Sequence, residues 1–160
     1  IVNPENNIGL KNWNIVNDDV MGGISKSYLS LNDQNNLIFS GNVSLDNNGG
    51  FASSRMGLST ESLNGIKSFK IKFRGDGNIY KLRLRQNNMR ASYSSDFKSL
   101  KDKWVEVIIP IEDFKPTWRG YTYTNYPAIK TEKINSLGIQ ISDKQEGEFK
   151  LEIKYIKAIF

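Results

Sequence analysis

Along most of this chain, apolar and polar residues alternate with a period of two. Ser68-Phe69-Lys70-Ile71-Lys72-Phe73-Arg74 is the clearest case, with Phe69, Ile71 and Phe73 on one side and Lys70, Lys72 and Arg74 on the other. Such alternation is the mark of a half-buried strand. Leu37 to Leu45 repeats it through Leu37, Phe39, Val43 and Leu45, with Gly41 at the position where a bulge or a close strand approach is expected. Ile79 to Gln86 places Leu82 and Leu84 on one face and Lys81, Arg83 and Arg85 on the other. Further strands are expected at Ser25–Leu31, Phe51–Met56, Ala91–Ser95, Trp104–Pro110, Leu137–Ser142 and Phe149–Ile156, and an opening strand or loop docks through Trp13. Gly75-Asp76-Gly77-Asn78 reads as a hairpin turn, and Asp143 to Gly147 as the turn before the last strand. No long helical periodicity intervenes. Short strands between turn clusters predict a single antiparallel β-sandwich domain over residues 1–160.

Two glycine pairs organise the first half. Asp18-Asp19-Val20-Met21-Gly22-Gly23 and Asn47-Asn48-Gly49-Gly50 each set acids or amides before Gly-Gly and then enter a strand. Asn and Asp bond back to nearby backbone and Gly accepts positive φ, so both stretches predict tight, oxygen-rich turns. Between Gly50 and Met56 stands Arg55, whose expected role is an internal ion pair to Asp18 or Asp19, with capture of an external carboxylate or phosphate as the alternative. A calcium site drawing on Asp18, Asp19, Asn48 or Asp143 is a weaker alternative, because these residues lack the spacing of an EF-hand.

Composition narrows the chemistry. The 160 residues include neither His nor Cys. That excludes disulfides, thiolate nucleophiles, the Ser-His-Asp arrangement and the commonest zinc ligands, and it weighs against an enzyme. Adjacent Asp18 and Asp19 would point oppositely in a strand, so they are not read as a catalytic pair. No cofactor is expected. The net charge of +5 is spread over dispersed lysines and reads mainly as a solvated, mildly basic surface. No apolar run approaches the roughly 20 residues of a membrane helix, and no targeting segment is visible, which leaves the compartment open. The abundance of Asn, Lys and Ile suits a bacterial chain.

The same landmarks, in order, resemble the complex I intermediate-associated protein 30 (CIA30) family. Trp13 with Asn17 to Ser25 is similar to its opening signature, and Phe39 to Leu45 with Asn47 to Arg55 to its second block. Gly75-Asp76-Gly77 with Tyr80, Trp104 with Ile109-Pro110, Asp113-Phe114, Arg119-Gly120 and Gly138 to Phe149 follow, so the resemblance covers about residues 13–157. It implies a galactose-binding-domain-like jelly roll, and an assembly or chaperone role of the kind that mitochondrial members have toward respiratory complex I.

Two surfaces are candidates for partner contact. The face of the strand that carries Tyr80, Arg83 and Arg85, with Tyr93 on the neighbouring strand, reads first as a solvated sheet face; as a site it would suit a glycan, for which the Gly-Gly loop apex is the alternative, or single-stranded nucleic acid through stacking and phosphate contacts. The aromatic stretch Phe114 to Tyr126, with Trp118, Arg119 and Tyr121, is either a protein-contact patch or a loop folded over the sandwich edge. Trp13, Met21, Trp104 and Phe149 are assigned to the core. A protein partner is the leading expectation; a glycan comes second, nucleic acid third, and no membrane insertion is expected.

Overall fold

The computed structural model describes residues 13–17, 23–46, 50–86, 89, 91–118 and 121–160. They form an antiparallel jelly-roll β-sandwich of two sheets. The strands are β1 (Trp13–Asn17), β2 (Lys26–Leu31), β3 (Leu37–Val43), β4 (Ala52–Gly57), β5 (Ser68–Arg74) and β6 (Ile79–Gln86). After them come β7 (Ser92–Lys98), β8 (Trp104–Pro110), β9 (Lys115–Trp118), β10 (Tyr121–Thr122), β11 (Ile134–Ile141) and β12 (Gly147–Ile159). One sheet has the order β1-β4-β11-β6-β7-β9-β10 and the other β2-β3-β12-β5-β8. Among the described residues no helix is long and apolar enough to cross a membrane.

Alternation decides which side of each strand enters the core. Phe69, Ile71 and Phe73 of β5 are fully buried, and their register partners Ile109, Val107 and Val105 put the apolar side of β8 inward. Across the sandwich Leu82 and Leu84 of β6 align with Ile139 and Leu137 of β11, all four fully buried. Gly41 stands where β2 approaches: a Cβ there would lie 2.0 Å from the backbone oxygen of Lys26. Phe149 is buried and Trp13 packs partly buried against the core, both as expected. Trp104 departs from expectation. It pairs with Arg74 on the outward side of the sheet, is 39% exposed, and lies 5.0 Å from the Arg74 guanidinium. Val105, next along the strand, occupies the inward position instead.

The Gly75–Asn78 stretch is not a hairpin. β5 belongs to the five-stranded sheet and β6 to the seven-stranded one, so the link crosses the sandwich. Such a link must satisfy its own backbone groups. Asp76 does much of this: its carboxylate accepts the Tyr80 hydroxyl (3.0 and 3.1 Å), the Asn78 amide (3.0 Å) and the Lys150 amide of β12 (2.8 Å). Ser99 donates to the Asn78 carbonyl at 2.8 Å and accepts the Gly77 amide at 3.0 Å. It sits so close to Gly75 that a Cβ on that residue would be 2.3 Å from its own. The link from β11 to β12 also changes sheets, and Gln145 ties the two together by accepting the Ile79 amide and donating to the Ile79 carbonyl, both at 2.7 Å.

A second polar knot lies on the five-stranded sheet. Glu152 of β12, 6% exposed, accepts Asn32 Nδ2 (2.7 Å), Asn36 Nδ2 (2.8 Å) and Arg74 Nη2 (2.7 Å). Burial alone would raise its pKa, but the hydrogen bonds from Asn36, Arg74 and Asn32 outweigh it and hold the carboxyl below its usual range.

Two outcomes follow for stability. Asp76→Ala orphans the buried Tyr80 hydroxyl and two amides and is expected to lose about 2–4 kcal/mol in urea unfolding, with Tyr80→Phe recovering part of the loss in the double variant. For Glu152 the folded pKa is depressed, so its contribution is full above the unfolded value near ~4.3 and disappears as pH falls through the folded one. Glu152→Gln therefore costs about 1–3 kcal/mol at pH 7, and the gap from wild type narrows as unfolding is measured at progressively lower pH through the acid range.

Candidate binding site

The register of the seven-stranded sheet assembles a site from three separated stretches of sequence. Arg55 of β4 pairs with Gly138 of β11, and Gly138 pairs with Arg83 of β6. Paired residues on neighbouring strands point to the same side, so Arg55 and Arg83 flank a glycine on the outward face. Arg85 pairs with Ser136 one step along. The glycine leaves the sheet bare between the two guanidinium-bearing strands; a Cβ there would come to 3.0 Å from the Ser54 carbonyl and 4.0 Å from the Arg55 Cβ. The result is a narrow recess lined by Arg55, Arg83, Arg85, Ser136, Gly138 and Ser53.

Its charges are not balanced among the described residues. Arg83 gives Nε and Nη2 to the Ser92 hydroxyl, at 3.1 and 2.7 Å, and Arg85 reaches the Met89 carbonyl at 3.4 Å. No described carboxylate pairs with Arg55, Arg83 or Arg85. Lys81, on the same face of β6, differs: it is held by Asp96 at 2.7 Å and Asp143 at 3.0 Å. Burial first, and then the Arg55 and Arg85 charges, bring the Arg83 pKa down to about 10. Arg55 is lowered by burial and by Arg85. Both shifted groups stay cationic at neutral pH and lie beside Arg85, so the recess concentrates positive charge. The Ser136 hydroxyl, in a residue only 9% exposed, has no hydrogen-bond partner.

The sequence expectations meet this geometry unevenly. Arg83 and Arg85 face outward as anticipated. Tyr80 and Tyr93 do not join them: they are 0% and 1% exposed, share the inward parity of Leu82 and Leu84, and bond to Asp76 and to the Pro127 carbonyl (2.7 Å). Because tyrosine can bury its ring while its hydroxyl finds an acceptor, both serve the core. The ion-pair partners expected for Arg55, Asp18 and Asp19, lie outside the described residues, as do Gly22, Asn48, Gly49, Arg119 and the expected core residue Met21. Gly23 is buried, and Gly50 takes φ 133°, which suits a glycine turn. Asp143 is used by Lys81, and no cluster of three or more Asp or Glu suited to a metal occurs among the described residues.

The aromatic stretch divides into a part that packs down and a part that stays exposed. Tyr126 packs edge-on to Tyr93 at 6.2 Å and closes over the sandwich edge, while Tyr121 of β10 is 75% exposed beside half-buried Trp118. Sequence reasoning missed Ser136 and Gly138 as site residues. Their signal was the small-residue positions in an otherwise apolar strand.

This architecture is shared with carbohydrate-binding modules. The family 11 module of the Clostridium thermocellum cellulase Lic26A-Cel5E superposes with a TM-score of 0.72 over 96% of this chain and 90% of the module, at 13% identity. The corresponding region of an agarase, AgWH50C, gives a TM-score of 0.66 over all of this chain and 24% of the enzyme, at 10% identity. At such identities the likeness concerns the fold.

Sequence comparison goes further. Residues 3–153 match the model of the complex I intermediate-associated protein 30 (CIA30) family, and the chain belongs to that family. Probable mitochondrial complex I intermediate-associated protein 30 of Caenorhabditis briggsae and that of Caenorhabditis elegans are each 28% identical over 90% of this chain. The chain spans about half (49%) of the length of these relatives. An uncharacterized Schizosaccharomyces pombe protein, C9E9.15, is 35% identical over 42% of this chain and 33% of its own length. These relatives are from nematodes and a fission yeast, so the bacterial source suggested by composition gains no support from them.

An unbalanced guanidinium cluster has a testable energetic signature. Arg83→Gln removes one of three crowded like charges and is expected to leave folding stability at pH 7 unchanged or raised by up to about 1 kcal/mol, read from urea unfolding at low salt. A loss of more than about 1 kcal/mol that Ser92→Ala does not reproduce would mean that the charge is compensated in the folded chain.

Proposed function

We propose that this chain is a non-catalytic interaction module that holds a partner protein during the assembly of a larger complex. The observation that carries the reading is the family match over residues 3–153, which takes in nearly the whole sandwich. The relatives' name, complex I intermediate-associated protein, supplies the direction, and their mitochondrial setting is one place where this chain would act. The sequence supports it through the absence of His and Cys, which removes the side chains most used for acid-base and nucleophilic work. In this reading residues 1–160 act as one domain. Arg83 and Arg85, joined by Arg55, form one contact region and Trp118 with Tyr121 (and Arg119 between them) another, since Arg, Trp and Tyr dominate interface hot spots. Asp18, Asp19, the two Gly-Gly turns, Asp76 and Asp143 have structural roles, and no cofactor takes part.

A second reading, glycan binding, is favoured by one feature other than the fold. On the outer side of the five-stranded sheet Tyr28, 62% exposed, borders an open groove with Ser40, Asn42 and Glu148. A ring beside hydroxyl, amide and carboxylate groups is the kind of surface a sugar stacks on.

Affinity capture with chemical crosslinking, using the tagged chain in extract of its source organism, tests the leading reading. The expected result is reproducible enrichment of a defined protein, with crosslinks mapping to the seven-stranded sheet or to the stretch 115–126. Binding on a glycan array that Tyr28→Ala abolishes, without any protein partner, would replace it with the second reading. Reproducible turnover of a defined substrate would overturn both.

A further inference from the structure

The arginine recess is more specific than a basic surface. A nucleic-acid track needs cations repeated along the path of the backbone and rings on which bases stack. Here three arginines crowd one spot, while Lys81, Lys98 and Lys115 stand singly elsewhere on the same face. Next to them on the same face stand Asp96 and Asp143, each more than half exposed, which would repel a continuing phosphate chain. The outward positions of β4, β11, β6 and β7, alternating with the buried ones, hold no aromatic residue, so neither bases nor a neutral sugar ring finds a platform there. What remains is a place for a single compact anion. Two outward guanidiniums either side of a bare glycine, a third beside them and a buried Ser136 hydroxyl lacking any partner together present forked donors to one oxyanion.

We propose that Arg55, Arg83 and Arg85, with Ser136, form a receptor for one carboxylate group, an Asp or Glu side chain on an acidic segment of a protein partner. The proposal rests on the partner-binding reading above and names the chemistry of its anchor. A carboxylate there removes the mutual repulsion of the three arginines as it binds, and gives the Ser136 hydroxyl an acceptor. Gly138 matters because a larger residue would occupy the floor on which the carboxylate lands.

The test uses four probes: the end-blocked tetrapeptide Gly-Glu-Glu-Gly, its Gly-Gln-Gln-Gly counterpart, inorganic phosphate and oligothymidylate. The readout is the set of arginine Nε–H resonances of the isotope-labelled full chain. The Glu peptide is expected to move the Arg55, Arg83 and Arg85 signals while the Gln peptide leaves them in place. Arg83→Gln and Arg85→Gln should each weaken binding about tenfold or more, since a charge-assisted hydrogen bond is lost. Lys81→Gln, a charge already held by carboxylates, should not. Arg55→Gln, on a different strand, gives the same information if an Arg83 variant fails to fold. Equal shifts from the Gln peptide, no shift from the Glu peptide in millimolar amounts, or tighter binding of phosphate or oligothymidylate would overturn the proposal. Two further results separate it from the reading it rests on. A partner captured equally well by the arginine variants would overturn the anchor and leave partner binding standing. Tight Glu-peptide binding with no protein partner would leave the anchor standing and overturn the partner reading.

Discussion

The structure depends on two chain links that cross between the sheets side by side. β5 and β12 are neighbours in one sheet, β6 and β11 in the other, and each pair of strands is joined across the sandwich, β5 to β6 and β11 to β12. The links therefore lie together at one end, where their backbone groups need partners that no ladder supplies. Asp76, Ser99 and Gln145 supply them, with the Tyr80 hydroxyl reaching out of the core to share the Asp76 carboxylate. Burial and the adjacent Asp76 charge hold that hydroxyl well above the usual tyrosine range, so it remains a donor. Fixing both links fixes how β6 lies against β11.

That register is what makes the candidate site. A one-residue slip between β6 and β11 would turn Leu82 and Leu84 outward and the arginines inward, so burial of the leucines and exposure of the arginines are one choice. With the register set, Gly138 falls between Arg55 and Arg83, and three cations converge without a described carboxylate to balance them. Two other charged groups on the sheets are matched. Glu152 is surrounded by two amides and a guanidinium, and Lys81 by two carboxylates. Against these matched groups the arginine cluster stands without a described carboxylate, and folded chains tend to break local rules at functional sites.

The likeness to carbohydrate-binding modules and the CIA30 membership fit together on this scaffold. The sandwich gives a rigid sheet face, and the side chains on it decide the ligand. The exposed tyrosine of the other sheet shows that the two faces carry different chemistry.

Much of the fold was legible in the sequence, because a period of two records which side of a strand is wet. The strands Ser68–Arg74, Ile79–Gln86 and Trp104–Pro110 were read at their observed limits, and Gly41 was placed where a neighbouring strand presses close. The parity that turned Lys81, Arg83 and Arg85 outward also placed Tyr80 with Leu82 and Leu84; a tyrosine's polar tip obscures that signal, although its ring is as apolar as its neighbours. Other features had no local signature. Gly75 to Asn78 has the residues of a hairpin turn, and only the pairing of β5 with β12 and of β6 with β11 makes it a crossing. Arg55 and Arg83 are 28 positions apart, with Gly138 far beyond both, and their meeting required β11 to enter between β4 and β6. The sequence by itself determined the strands and their wet and dry sides, since these follow from side chains two residues apart. Which strands became neighbours, and hence which arginines share a recess, was decided by the tertiary structure, because strand order is set by burial summed over both sheets and not by any one segment.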